Sequence, residues 1–404
     1  MGVELGNIFD SAINNSLFQN KGVLQVRYTP ESIPHRDEQI KSIASILAST
    51  LRGERPSNLF VYGKTGTGKT LSIQYVQDEL MKKAEELGVE IKFEYLNCKL
   101  KKVADTEYRI LAALIRQLGG TIPTTGLPTD QVWSKFIELV DSKKQLIVFI
   151  FDEIDSAVKK ISDGFLYSLT RLNSELSNAQ ISLIGISNDV TFLENIDPRV
   201  RSSLGEEEFV FPPYNAIQLQ EILNNRCEKA FKEGAIADGV VAKCAAYAAR
   251  EHGDARRALD LLRIAGELSE REGKKLVEED YIDLANNKME RDKILDIVDS
   301  EPKQFQLVLY SIIQLTKKAK GEDGDKFFTG DVYNYYQELC GDTKTDPLTQ
   351  RRISDILAEI DMLGLINAKV ISKGRHGRTR EIKLSIPSNL FDKVEAMLVD
   401  SLGI

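Results

Sequence analysis

The stretch LFVYGKTGTGKT, Leu59 to Thr70, satisfies the pattern GxxxxGK[ST] through Gly63, Gly68, Lys69 and Thr70. Glycines let a backbone turn sharply enough for its N–H groups to converge on phosphate oxygens, at a helix N-terminus that already favours negative charge. In such a loop Gly63, Lys64, Thr65, Gly66, Thr67 and Gly68 cradle the phosphates, Lys69 reaches the β- and γ-phosphates, and the Thr70 hydroxyl holds Mg²⁺. A chance match in a glycine-rich loop is the alternative; an apolar strand before the loop and a helix after it argue against that. Further along, LIVFIFDEID ends a buried strand in Asp152 and Glu153. A carboxylate there suits the Mg²⁺ shell, and the next one is placed to polarise a water for attack on a γ-phosphate. The plain alternative is a solvated acidic strand end, and Asp155 reads as a structural or capping acid.

Two further stretches bear on the same chemistry. ISLIGISND places Ser187 and Asn188 beside the acidic pair if the two strands are neighbours. Asn188 would then orient the water or the γ-phosphate, whereas alone it would be a turn former. In EHGDARRALDLL, Gly253 and Asp254 end one helix and cap the next, so Arg256 falls in a first turn, where the helix dipole disfavours a cation unless an anion lies opposite. A phosphate supplies one; an exposed i,i+4 pair with Asp260 is the alternative. Arg257 points elsewhere.

A different chemistry is written near the C-terminal end. Between Lys369 and Lys383 stand Lys369, Lys373, Arg375, Arg378, Arg380 and Lys383 against the single acid Glu381, in a chain whose formal net charge is −8. Gly374 and Gly377 bracket a tight turn between two runs of β character, so the cations gather at a hairpin tip. The preceding LTQRRISDILAEIDMLGLI buries Ile353, Ile356, Leu357, Ile360 and Leu363 on one helix face and leaves Thr349, Gln350, Arg351 and Arg352 exposed at its start. Side chains at such a helix start reach base edges in double-stranded DNA, while Lys373, Arg375, Arg378 and Arg380 neutralise phosphate or enter the minor groove. The alternative is a basic loop kept for solubility; the mutual repulsion of so many cations favours a bound anion.

These residues need scaffolds, and the pattern supplies them. Strand-length apolar runs at Leu59–Gly63, Ile91–Asn97, Gln145–Asp152, Ile181–Ser187 and Glu208–Phe211 alternate with helical spacing, and lack the polar alternation of a half-exposed strand. That predicts an α/β base with a parallel sheet over residues 1–214. Helical spacing alone continues through 215–293, a small helical domain. Over 294–404, helices at Phe305–Lys318, Asp331–Leu339 and Thr349–Leu363 followed by a hairpin make a winged helix. A chain of 404 residues, 42% hydrophobic and 28% charged, has enough apolar material for two or three cores. No apolar run is long enough to span a membrane, Met1 to Asn20 lacks the features of a signal peptide, and Cys98, Cys227, Cys244 and Cys340 form no CxxC. The expectation is a cytoplasmic protein with neither disulfide framework nor zinc site.

Taken in order, the P-loop, the DE strand, Asn188, the GDARRAL helix and the winged helix resemble an AAA+ ATPase with a helical lid, and within that superfamily the archaeal replication initiators related to the origin recognition complex and its helicase-loading partner. The likeness includes YTPESIPHRDEQI, where it implies that Pro34 and Arg36 line the adenine site, and PPYNAIQLQEILNNR, where Tyr214 and Arg226 match nucleotide-contacting positions at the hinge to the lid. It implies ATP or ADP between base and lid, Arg256 as the lid sensor, Asn188 as the base sensor, and origin DNA, a replicative helicase and a second initiator copy on DNA as partners at the nucleoid. It also implies a DNA-touching helix in the base, which VADTEYRILAALIRQLGG with Arg109 and Arg116 fits. Relatives carry an arginine that reaches a neighbouring subunit's nucleotide. Here Ser203 stands at the commonest such position, leaving Arg199 and Arg201, which otherwise cap the short helix begun by Asp197 and Pro198. The same motif set would serve a winged-helix transcription regulator, and the winged helix is what separates the reading from a motor or clamp-loader subunit, since loaders act on DNA structure and not on a specific duplex sequence.

Overall fold

The computed structural model describes residues 16–99, 105–123, 126–318, 327–372, 378–387 and 390–404, which fall into two compact units, 1–282 and 283–404. In the first, after helix α1 (Asp37–Leu47), strand β1 (Leu59–Tyr62) leads into α2 (Lys69–Leu87), β2 (Ile91–Asn97), α3 (Glu107–Gln117) and α4 (Thr129–Val140). Then come β3 (Leu146–Asp152), α5 (Ile154–Ile161), α6 (Gly164–Arg171), β4 (Gln180–Ser187), α7 (Pro198–Leu204) and β5 (Glu207–Val210). The strands form one parallel sheet in the order β2-β3-β4-β1-β5. The five expected strands are all present, with ends within about one residue of expectation.

Why β3 lacks polar alternation is plain from its two faces. Ile147, Phe149 and Phe151 enter a core with α3, α4 and α6, while Val148 and Ile150 enter another with α1 and α2. β1 does the same with Phe60 on one side and Leu59 and Val61 on the other. Burial on both faces removes the reason for a polar residue at every second position. Truncating Phe149, fully buried, to alanine would cost about 3–5 kcal/mol.

The helical part of this unit comprises α8 (Ala216–Ala230), α9 (Val240–Arg250) and α10 (Ala255–Arg271). α8 starts at a capping box in which Asn215 and Gln218 satisfy each other's backbone N–H groups. The Asp254 carboxylate caps α10 by accepting from the amides of Arg256 and Arg257.

Helix α11 (Asp280–Ser300) follows, then α12 (Lys303–Lys318), β6 (Phe327–Phe328), α13 (Thr329–Asp342), α14 (Gln350–Met362), β7 (Ile366–Ser372), β8 (Arg378–Leu384) and α15 (Phe391–Leu402). An antiparallel sheet in the order β6-β8-β7 flanks the helices of the second unit. The expected three helices and hairpin are there, joined by β6 and by α15. The latter's Val394, Leu398 and Leu402 enter the same core as Ile353 and Leu357 of α14. Leu363, expected in that core, is only half-buried at its edge. Among the described residues no helix is long and apolar enough to cross a membrane.

Candidate functional site

The C-terminal ends of β2 and β3, with the segments that follow β1 and β4, face a cavity of about 560 Å³ whose opposite wall is made by α8 and α10. This is the crevice where open parallel sheets bind ligands. Gly66, Thr67, Gly68, Lys69 and Thr70 line one side and Asp152, Glu153 and Asn188 the floor, and Pro34, Tyr214, Arg226 and Arg256 are among the residues that complete the lining.

The loop needs its glycines for two separate reasons. Gly66 and Gly68 hold φ of 72° and 88°, conformations that L side chains resist. A side chain at Gly66 would also overlap the Asp254 carboxylate, and one at Gly68 would press on the Tyr214 hydroxyl. The cap of α10 therefore rests directly on the loop, where the Ala255 amide donates to the Gly66 carbonyl at 3.2 Å. Gly63, Lys64 and Thr65 do not line the cavity. The Gly63 carbonyl accepts from Lys69, the Lys64 ammonium lies 3.3 Å from His252, and Thr65 is exposed.

Lys69 is buried, and its Nζ donates to the carbonyls of Gly63 and Lys64 and to Asn188 Oδ1 at 2.7, 2.8 and 2.8 Å. Burial lowers its pKa to about 8; the Asp152 carboxylate opposes that and the Arg256 cation adds to it. Arg256 is exposed toward the cavity, and the alternative pair with Asp260 is absent because Asp260 is bound by Arg263 at 2.9 Å. Arg257 points away, to Glu251 at 2.7 Å. Among the described residues neither Lys69 nor Arg256 forms an ion pair, so two cations from opposite walls face one space.

Thr70 Oγ1 donates to Asp152 Oδ2 at 2.9 Å, and the same oxygen accepts from the Tyr95 hydroxyl at 2.7 Å. Burial and that bond push the Tyr95 pKa up, so its proton stays in place. A hydroxyl beside a carboxylate is an oxygen donor set that fits Mg²⁺, which takes one or two protein ligands and fills its shell with water and phosphate. Among the described residues there is no cluster of three or more His, Cys, Asp or Glu side chains that could hold a metal ion by themselves.

Glu153 sits at φ 54°, ψ 44°, a left-handed conformation costing a non-glycine residue roughly 1–3 kcal/mol. Its Oε2 lies 3.2 Å from Lys99 Nζ. Asn188 does lie beside the acids, since β4 pairs with β3, but Ser187 turns away and donates to the buried Asp155 at 2.9 Å. Asp155 thereby anchors the end of β4.

Arg226, buried, stacks 4.4 Å over the Tyr28 ring and donates to the Val23 carbonyl. Arg36 departs from expectation. It does not line the cavity, and lies behind the phosphate loop with its guanidinium 3.9 Å over the Tyr214 ring. Tyr95, Asn97 and Lys99 were not singled out from the sequence. Their signal is the position of β2 beside β3, where Asn97 pairs in register with Asp152, and only the strand order reveals it.

Arg199 folds onto its own helix cap, donating to Asp197 at 3.1 and 2.8 Å, which holds the Asp197 carboxyl down at about 2, while Arg201 is exposed. On α3, Arg109 pairs with Asp105 at 2.9 Å and Arg116 is exposed.

In the second unit Thr349 caps α14, and Thr349, Gln350, Arg351 and Arg352 are all exposed there, with Arg352 3.8 Å from Asp355. β7 and β8 pair antiparallel, Ile366–Ser372 against Arg378–Leu384, as the hairpin predicts. Lys373 and Arg375, with Gly374 and Gly377, lie outside the described residues, and Arg378 opens β8 opposite Ser372. Arg380 is half-buried and donates to the Ser354 carbonyl of α14, tying hairpin to helix.

Three family models match the chain: an AAA domain over residues 52–191, a Cdc6 AAA+ ATPase-type lid domain over 220–287, and a CDC6 C-terminal winged helix domain over 296–394. The chain is 50% identical to ORC1-type DNA replication protein 1 of Methanosarcina mazei over 384 residues, 95% of this chain and 91% of that one. It is 49% identical to the ORC1-type DNA replication protein of Pyrococcus furiosus over 392 residues, 96% and 91% of the two chains. Among solved structures, the Aeropyrum pernix ORC1 protein in complex with DNA matches with a TM-score of 0.85 at 41% identity, over 95% of this chain and 97% of that one.

Proposed function

Because the chain belongs to the family of ORC1-type DNA replication proteins, with an AAA+ ATPase domain, a lid and a winged helix, we propose that it is an ATP-regulated initiator. It binds duplex DNA at a replication origin and helps load the replicative helicase, with slow hydrolysis as the switch between states. The observation that carries the nucleotide half is that two cations without an ion pair among the described residues, Lys69 from the base and Arg256 from the lid, line one cavity beside Thr70 and Asp152. A polyphosphate relieves their repulsion, and by bridging the two walls it sets the angle between them.

The residues then divide the work. The amides of Gly66 to Thr70 hold the phosphates, and Lys69 exchanges one of its carbonyl bonds for a phosphate oxygen. Thr70 and Asp152 would hold Mg²⁺, which when bound would supply positive charge against the phosphates. Glu153 accepts the proton of the attacking water, a step that requires its carboxylate to leave Lys99. Asn188, held by Lys69 at 2.8 Å, orients that water or the γ-phosphate. Pro34, Tyr214 and Arg226 enclose the base end.

The DNA half rests on the exposed cations of Arg351 and Arg352 at the start of α14 and on Arg378 at the start of β8, together with Lys373 and Arg375 of the sequence, which lie outside the described residues. Family membership supports it. Genome-wide occupancy before and during replication onset tests the whole. Peaks at replication start zones that depend on residues 283–404 are expected; occupancy confined to promoters would overturn it in favour of transcriptional control.

A further inference from the structure

Arg36 is 2% exposed, and among the described residues no carboxylate pairs with it. It also precedes the first turn of α1, where the helix dipole opposes a cation. Burial pushes its pKa below the ordinary value. A buried guanidinium without a counter-ion is costly, so its other contacts must hold it. Those contacts converge on two structures that the nucleotide site needs to coordinate. Nε donates to the Thr67 carbonyl of the phosphate loop at 2.8 Å, and one terminal nitrogen donates to the Pro212 carbonyl at 2.6 Å. Pro212 stands in the short link from β5 to α8, the hinge between sheet and lid. The other terminal nitrogen donates to the His35 carbonyl at 3.2 Å, and the plane stacks on Tyr214 of that same hinge.

The Thr67 contact has a direct effect on phosphate binding. No described peptide bond is cis, so the Thr67 carbonyl and the Gly68 N–H point to opposite sides of one planar unit. Drawing the carbonyl back onto Arg36 aims the Gly68 N–H toward the cavity. A fixed planar fork then requires the hinge carbonyl of Pro212 to sit where the loop carbonyl allows. A lysine in this position would be a single point donor and could not hold both in one plane.

We propose that Arg36 is a positioning residue that couples the phosphate loop to the hinge between base and lid. This rests on the nucleotide reading above. A phosphate drawn onto Gly68 N–H shifts the Thr67–Gly68 peptide, the guanidinium follows, and the hinge moves with it.

The test uses the full chain with Arg36→Lys and Arg36→Gln. ATP affinity is measured by equilibrium titration, and backbone hydrogen exchange is followed in the phosphate loop and in residues 211–215 with and without saturating ATP. In the parent, ATP slows exchange in both segments. In both variants the dissociation constant rises about tenfold, one charge-assisted hydrogen bond's worth, and saturating ATP protects the loop but leaves the hinge unchanged. Arg36→Lys keeps the cation and serves if Arg36→Gln fails to fold. Parent-like affinity with a parent-like hinge response in Arg36→Lys would overturn the coupling. A parent that binds no ATP would instead overturn the nucleotide reading.

Discussion

Gly66→Ala probes how the lid rests on the phosphate loop, and Gly53→Ala supplies its control. Both glycines have φ near +70°, 72° at Gly66 and 71° at Gly53, so either alanine carries the left-handed penalty of about 1–2 kcal/mol. Around Gly53 nothing lies within 4 Å of a new Cβ, whereas at Gly66 the Cβ would overlap the Asp254 side chain. The cap of α10 must then retreat, giving up the bond from the Ala255 amide to the Gly66 carbonyl, worth about 0.5–1.5 kcal/mol, and carrying Arg256 away from Lys69. Both variants should melt lower without nucleotide, by about 2–4 °C per kcal/mol for a unit of this size. Only Gly66→Ala should lose ATP affinity, by roughly 10- to 30-fold if about 1.4–2 kcal/mol of lid contact is forfeited. Thermal melts and titration with a fluorescent ATP analogue read the two effects separately. Equal affinity loss in both variants, or parent affinity in Gly66→Ala, would refute the claim that this lid contact shapes the site.

Other outcomes follow from the same geometry. Glu153→Gln should retain ATP and lose hydrolysis by about 10²–10⁴-fold in single turnover, while Lys99→Ala, which frees the Glu153 carboxylate from an exposed ion pair worth about 0.2–1 kcal/mol, should speed it up to about fivefold. Because Lys69 has a pKa of about 8, ATP affinity without added metal should weaken as pH rises through 8. The contribution of this group to fold stability has the opposite sign, since between about 8 and the ordinary 10.5 the unfolded chain binds more protons, and it grows with pH there. Lys69→Met should flatten both profiles. Replacing Arg351 and Arg352 with alanine should reduce the slope of log affinity for duplex against log salt by about 2 if each meets a phosphate, as filter binding would show; an unchanged slope would remove α14 from the backbone contacts.

Much of this was legible before any coordinates. The runs around Phe149 and Leu183 announced strands buried on both faces, and the spacing of Gly63, Gly68, Lys69 and Thr70 announced a phosphate loop, because both are local consequences of chain geometry. The cap at Asp254 could be read for the same reason: a capping side chain bonds backbone only two or three residues away. Strand order could not be read, since it depends on which distant strands pair. With it went Tyr95 and Lys99, brought to Asp152 and Glu153 by the neighbouring strand. The i,i+3 pair of Asp260 with Arg263 is local, whereas only the tertiary structure decided that Arg256 turns to the cavity and that Arg36 faces the loop and hinge carbonyls and not the ligand space. A side chain's chemistry is fixed by its type, but these partners are fixed by packing between segments from about thirty to about 180 residues apart, which no local spacing encodes.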